Sequence, residues 1–124
     1  MMGYQCYMQD FKVDILGSEW AIKFGTLKEY PNLENMDGYT DSSTREIIVD
    51  NMESQQDIPG SKKNMEEYRK QVVRHEIIHA FLYESGLESN SSSTDSWAIN
   101  EEMVDWFAIQ TPKIFKVFSE FELM

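Results

Sequence analysis

The sequence predicts one α+β domain, with a small N-terminal β-sheet packed on helices that fill the second half of the chain. Two observations carry this expectation. Short β-branched and aromatic runs punctuated by turn residues extend to Asp50, and apolar residues at helical spacing begin only after Asn64. The length of 124 residues suits one core, so residues 1–124 are expected to form a single domain.

Each element has a local reason. Phe11 to Leu16 alternates loosely and meets the turn signal Gly17-Ser18, after which Trp20 to Gly25 completes a hairpin. Tyr30 to Ser43 is rich in Pro, Asn, Asp and Gly and reads as loop. Arg45 to Asp50 is a β-branched run that gives a third strand. Pro59-Gly60 then breaks the chain between Asp57 and Ser61. Asn64 offers an N-cap with Glu67 as its capping-box partner, the helix runs from Met65 to Glu84, and Gly86 stops it. Val72, Val73, Ile77, Phe81 and Leu82 form its expected core stripe. Glu88 to Ser96 is a Ser-rich loop. A second helix is expected from about Trp97 to Gln110, using Ile99, Met103, Trp106, Phe107 and Gln110 for core contacts. Thr111-Pro112 should end it and start a third helix, whose apolar side is Ile114, Phe115, Val117, Phe118 and Phe121.

Composition narrows the function. Apolar residues make up 41% of the chain, enough for a folded core. The formal charge of −11 repels phosphate backbones and anionic lipid, which disfavours nucleic-acid and membrane-surface roles. The single cysteine, Cys6, allows no intramolecular disulfide, and no basic segment followed by an apolar run marks secretion. No apolar run is long enough to span a bilayer. A cytoplasmic location is therefore expected, and the formal glycosylation acceptor Asn90-Ser91-Ser92 carries no weight.

The chemistry lies in His75-Glu76-Ile77-Ile78-His79. Residues four apart stand one turn above each other on a helix, so His75 and His79 can grip one zinc ion from one face. Glu76 follows the first histidine, where its carboxylate reaches a water at the metal as general base. A pair of surface histidines is the plain alternative, but both histidines of the chain lie in this motif. With no third histidine, the third ligand is expected to be a carboxylate from a second helix, the remote Cys6 being the alternative, and Ala98 to Asp105 supplies Glu101, Glu102 and Asp105. Glu101 and Asp105 share a face, and Glu102 sits about 100° further round. An ordinary solvated acidic face would look the same in a chain this acidic.

Asn100-Glu101-Glu102-Met103-Val104-Asp105, following the two-histidine helix, resembles the Asn-Glu-x-x-x-Asp segment of the thermolysin-like gluzincins. The resemblance covers about Val72 to Ala108. It implies Glu101 as third zinc ligand, Asp105 as the group orienting His75, and Asn100 as support for His79. It implies a zinc metallopeptidase acting on peptide or protein substrates. The full-size enzymes carry a second domain whose histidine, with a tyrosine, serves the oxyanion, and these 124 residues offer neither the length for it nor a third histidine. The chain is similar instead to minimal single-domain zincins encoded near phage immunity and mobile-element genes. Tyr83 and Tyr39 are candidates for the oxyanion role, and the strand Glu46 to Asp50 for the edge that lines the cleft. Arg74 reads as a surface charge. Two rival functions stand beside peptidase activity: a zinc-stapled partner-binding protein, and a zinc hydrolase of a non-peptide amide.

Overall fold

The computed structural model describes residues 9–52, 64–87 and 100–123. They form an α+β fold in which four strands precede two helices. The strands are β1 (Phe11–Ile15), β2 (Ser18–Gly25), β3 (Gly38–Asp41) and β4 (Glu46–Asp50), and the helices are α1 (Met65–Glu84) and α2 (Glu101–Glu120). Among these residues no helix is long and apolar enough to cross a membrane.

The expected hairpin is present, with Val13 opposite Trp20 and Ile15 opposite Ser18. Its turn is Leu16-Gly17, both at positive φ (52° and 92°), the backbone twist that two-residue hairpins favour. The sheet order is β1-β2-β4-β3. β2 and β4 are parallel, with Ile22 beside Ile47 and Phe24 beside Val49, and β3 is antiparallel to β4.

Two expectations need correction here. The stretch from Tyr30 to Ser43 is not all loop: Pro31–Leu33 forms a 3₁₀ turn that buries Leu33, and Gly38–Asp41 is a strand. The strand Glu46–Asp50 is therefore interior, and β3 is the sheet edge beside the helices. Ile47, Ile48 and Val49 are all buried, as a strand paired on both sides requires.

α1 begins as its sequence dictates. Asn64 Oδ1 accepts from the Glu67 N–H at 3.1 Å, with Glu66 and Glu67 in the first turn. Gly86, at φ 83°, lies just past its end, and its N–H donates to the Tyr83 carbonyl. The buried stripe is Met65, Arg69, Val72, Val73, Glu76 and Ala80. Ile77 packs against the core as a half-buried side chain, and Phe81 is exposed, contrary to its expected place in the stripe. At the far end Glu84 accepts from Ser18, from the Trp20 indole at 2.9 Å and from Arg45 at 2.5 Å, fastening α1 to the sheet.

α2 also departs from expectation. It is one helix through Thr111-Pro112, with Pro112 inside it, rather than two helices broken there. Among the described residues its buried apolar side chains are Val104 and Ala108, while Trp106, Phe107 and Phe115 are exposed. Trp97 to Ile99, the expected start, lie outside the described residues, as do the expected loops Asp57 to Ser61 and Glu88 to Ser96, and Cys6.

Candidate metal centre

α2 packs chiefly on α1, and the shared face holds the site. His79 Nε2 lies 2.8 Å and His75 Nε2 3.1 Å from the same Glu101 oxygen, Oε1. On its other side His75 turns Nδ1 to Asp105 at 3.1 Å. The two imidazoles meet edge to face, with ring centroids 4.9 Å apart. Both are mostly covered, while Glu101 opens to solvent.

Local sequence explains the placement. The i, i+4 spacing stacks the histidines on α1, and the same spacing aligns Glu101 with Asp105 on α2. Asn100 Oδ1 accepts from the Met103 N–H at 3.0 Å, so Asn100 caps α2 and starts it at Glu101. That bond is to the backbone of its own helix; the described hydrogen bonds include none from Asn100 to His79. Glu102, one position on, lines a depression beside the site and does not meet the imidazoles.

The donor set fits a metal ion. A neutral imidazole carries one N–H, so with Nδ1 of His75 directed at Asp105 its Nε2 presents a lone pair. That lone pair, its counterpart on His79 and a carboxylate oxygen converge, and all three donor atoms lie within 4.8 Å of one another. Donors about 2.0–2.1 Å from a tetrahedral ion stand about 3.3 Å apart, and the two imidazole nitrogens lie 3.1 and 2.8 Å from the Glu101 oxygen. His75, His79 and Glu101 are thus a possible metal-binding triad.

Glu76 is 7% exposed, lies against β3 and lines both depressions that flank the triad. The Thr40 hydroxyl lies 2.8 Å from its Oε1 and 3.1 Å from its backbone carbonyl. Burial pushes the Glu76 carboxyl up, opposed by the Thr40 hydrogen bond and by His75 and His79. β3 comes this close because Gly38 has no side chain. A Cβ there would stand 3.0 Å from Val72 and 3.2 Å from the Ile48 carbonyl oxygen.

Two depressions flank the triad and share Met36, Gly38, Glu76 and Glu101. The larger, about 640 Å³, extends to Asp37, Tyr68 and Glu102; the smaller, about 350 Å³, to Tyr39, Thr40 and Tyr83. Both tyrosines named from the sequence line the smaller one. Tyr83 is packed edge-on against Trp20, and burial pushes the Tyr39 phenol up, which keeps it a hydrogen-bond donor. Tyr68 donates to Asp37 across the larger depression.

Sequence reasoning missed Thr40, Gly38 and the Asp37–Tyr68 pair. The alternation of Gly38, Tyr39, Thr40 and Asp41 was their only local signal, and the turn-rich surroundings obscured it. Compared with known proteins, the chain matches no family model, no curated protein and no solved structure.

Proposed function

We propose that the chain is a zinc-dependent peptidase in which Glu76 acts as general base. The observation that carries this is the pairing of a convergent two-histidine, one-carboxylate triad with a buried carboxylate one residue after the first histidine. Imidazole and carboxylate donors of this kind suit zinc. Bound there, zinc supplies the Lewis acidity that polarises a carbonyl and acidifies water.

The chain's own groups do the rest. Asp105 holds the His75 ring by Nδ1, fixing which nitrogen faces the triad. Thr40 holds the Glu76 carboxylate, and burial raises its proton affinity towards what a base needs near neutral pH. Glu76 accepts a proton from water and delivers it to the leaving amine. To Tyr39, on the wall of the smaller depression, we assign the hydrogen bond to a developing oxyanion.

A peptide substrate is favoured by the edge position of β3, whose Gly38 lines both depressions and whose Tyr39 and Thr40 line the smaller one. An open edge binds an extended backbone by strand addition. A purely structural zinc staple would have no use for Glu76, whose burial as a carboxylate costs stability. A peptidase uses it.

The test is Glu76→Gln, with cleavage read by mass spectrometry on a peptide library. Zinc content should be unchanged and hydrolysis should fall by about 10²–10⁴-fold. A folded pKa raised above the unfolded one adds stability at low pH and loses it as pH rises through the folded value. Gln lacks this dependence, so the metal-free variant should be at least as stable as wild type at neutral pH. Cleavage at the wild-type rate would remove Glu76 from the mechanism.

A further inference from the structure

Pro112 lies inside α2, where it has no N–H for the carbonyl four residues earlier. That carbonyl belongs to Ala108, a fully buried residue. A buried backbone oxygen left without a donor is costly, so a partner must come from elsewhere. It comes from α1: Arg74 Nε donates to the Ala108 oxygen at 2.6 Å. Arg74, which immediately precedes His75 and reads from the sequence as a surface charge, is tied to α2 by this bond.

The polar contacts between the helices form a series. His79 meets Glu101, His75 meets Glu101 and Asp105, and Arg74 meets Ala108, so α2 runs antiparallel to α1. The first three involve the imidazoles. The last joins a permanent cation to a backbone carbonyl, and its geometry does not depend on what the imidazoles hold. Val104 and Ala108 are the buried apolar residues of α2 among those described, and Arg74 meets the carbonyl of the second of them.

We propose that Arg74 is a positioning residue for the metal site: it takes the carbonyl that Pro112 leaves without a donor, and thereby holds Glu101 and Asp105 in register with His75 and His79. The inference rests on the reading of His75, His79 and Glu101 as metal ligands. Asp105 and Ala108 are three positions apart on α2, so a rotation at Ala108 is transmitted to both carboxylates.

The experiment is a zinc titration of the full chain, with cobalt(II) absorption as a probe of ligand geometry, on wild type, Arg74→Met, Pro112→Ala and the double variant. Arg74→Met keeps the aliphatic stem and removes the donor. It should weaken zinc by about tenfold, the scale of an outer hydrogen-bonding partner, and alter the cobalt band at saturation. Pro112→Ala supplies an N–H four residues after Ala108, so the double variant should regain most of the lost affinity, and Pro112→Ala alone should bind as wild type. A role in packing alone would lower the melting temperature without this rescue. If Arg74→Met does not fold, a double variant that folds and binds zinc supports the proposal, and one that does neither overturns it. Unchanged affinity and spectrum in Arg74→Met, or a loss that Pro112→Ala does not restore, also overturns it. A wild-type chain that takes up neither metal overturns the metal reading and this inference together.

Discussion

Helix α1 lies across the sheet and buries Met65, Val72, Val73 and Ala80 in one cluster with Trp20, Ile22, Ile47 and Val49. Helix α2 buries Val104 and Ala108 and rests chiefly on α1. The histidines and Glu76 therefore stand on an element fixed by the core, whereas Glu101 and Asp105 stand on one fixed mainly by its contacts with α1. One half of the site is built in advance and the other is held to it. Removing a group from the first half should lose function with little reorganisation. Removing one from the second should also loosen the helix.

The largest effect is expected from His75→Ala or His79→Ala. Either deletes a donor from the fixed half, and zinc affinity should fall by more than the about 100-fold that bounds an outer partner, as checked by competitive chelator titration. Glu101→Ala should approach this loss, while Glu102→Ala should bind zinc as wild type. The opposite ranking would mean that α2 is turned by one residue from the described register.

Asp105→Ala should weaken zinc by about 10–100-fold without abolishing binding, since Asp105 meets His75 Nδ1 and is not one of the three convergent donors. Complete loss would make Asp105 a ligand itself.

Thr40→Val tests the link between β3 and the fixed half. Its hydroxyl favours the ionised Glu76, so losing it should raise a carboxyl pKa that burial has already raised. Glu76 must be ionised to act as base, and the acid limb of the kcat/KM profile should move to higher pH, with a few-fold loss of activity below neutrality. An unmoved limb would show that Thr40 does not act on Glu76.

The smallest effect on zinc is expected from Glu84→Gln, which loosens the far end of α1. Arg45, then Trp20 and Ser18, hold the Glu84 carboxyl below its ordinary range. A depressed folded pKa gives stability above the unfolded value that is lost as pH falls through the folded one. Glu84→Gln should therefore lower the melting temperature at neutral pH and narrow the gap to wild type in acid, with zinc affinity unchanged. A melting temperature equal to wild type at neutral pH would remove Glu84 as a tie between helix and sheet.

What the sequence made legible was local. The turn signal at Gly17-Ser18 (one residue on from the observed Leu16-Gly17 turn), the Asn64 cap, the extent of α1 and the spacing of His75, Glu76 and His79 all depend on residues a few positions apart. β3 was hidden because Gly38 to Asp41 is a strand by virtue of pairing with β4 and packing on α1, not by composition. The break read at Pro112 followed the rule for an isolated helix, and Arg74 on α1 supplies what that rule assumes is missing. The exposure of Phe81, Trp106 and Phe107 has the same origin: apolar spacing marks a face, but the neighbour that covers it is set by tertiary packing. Thr40 is 36 residues from Glu76, beyond any motif.

The central claim is that His75, His79 and Glu101 hold one zinc, and metal analysis of the purified wild-type chain tests it most directly. Protein prepared without chelators should carry close to one zinc per chain. Because metal binding adds to folding free energy, stripping it should lower the melting temperature and adding it back should restore it. A chain that holds no zinc, and whose melting temperature does not respond when zinc is added, would contradict the account.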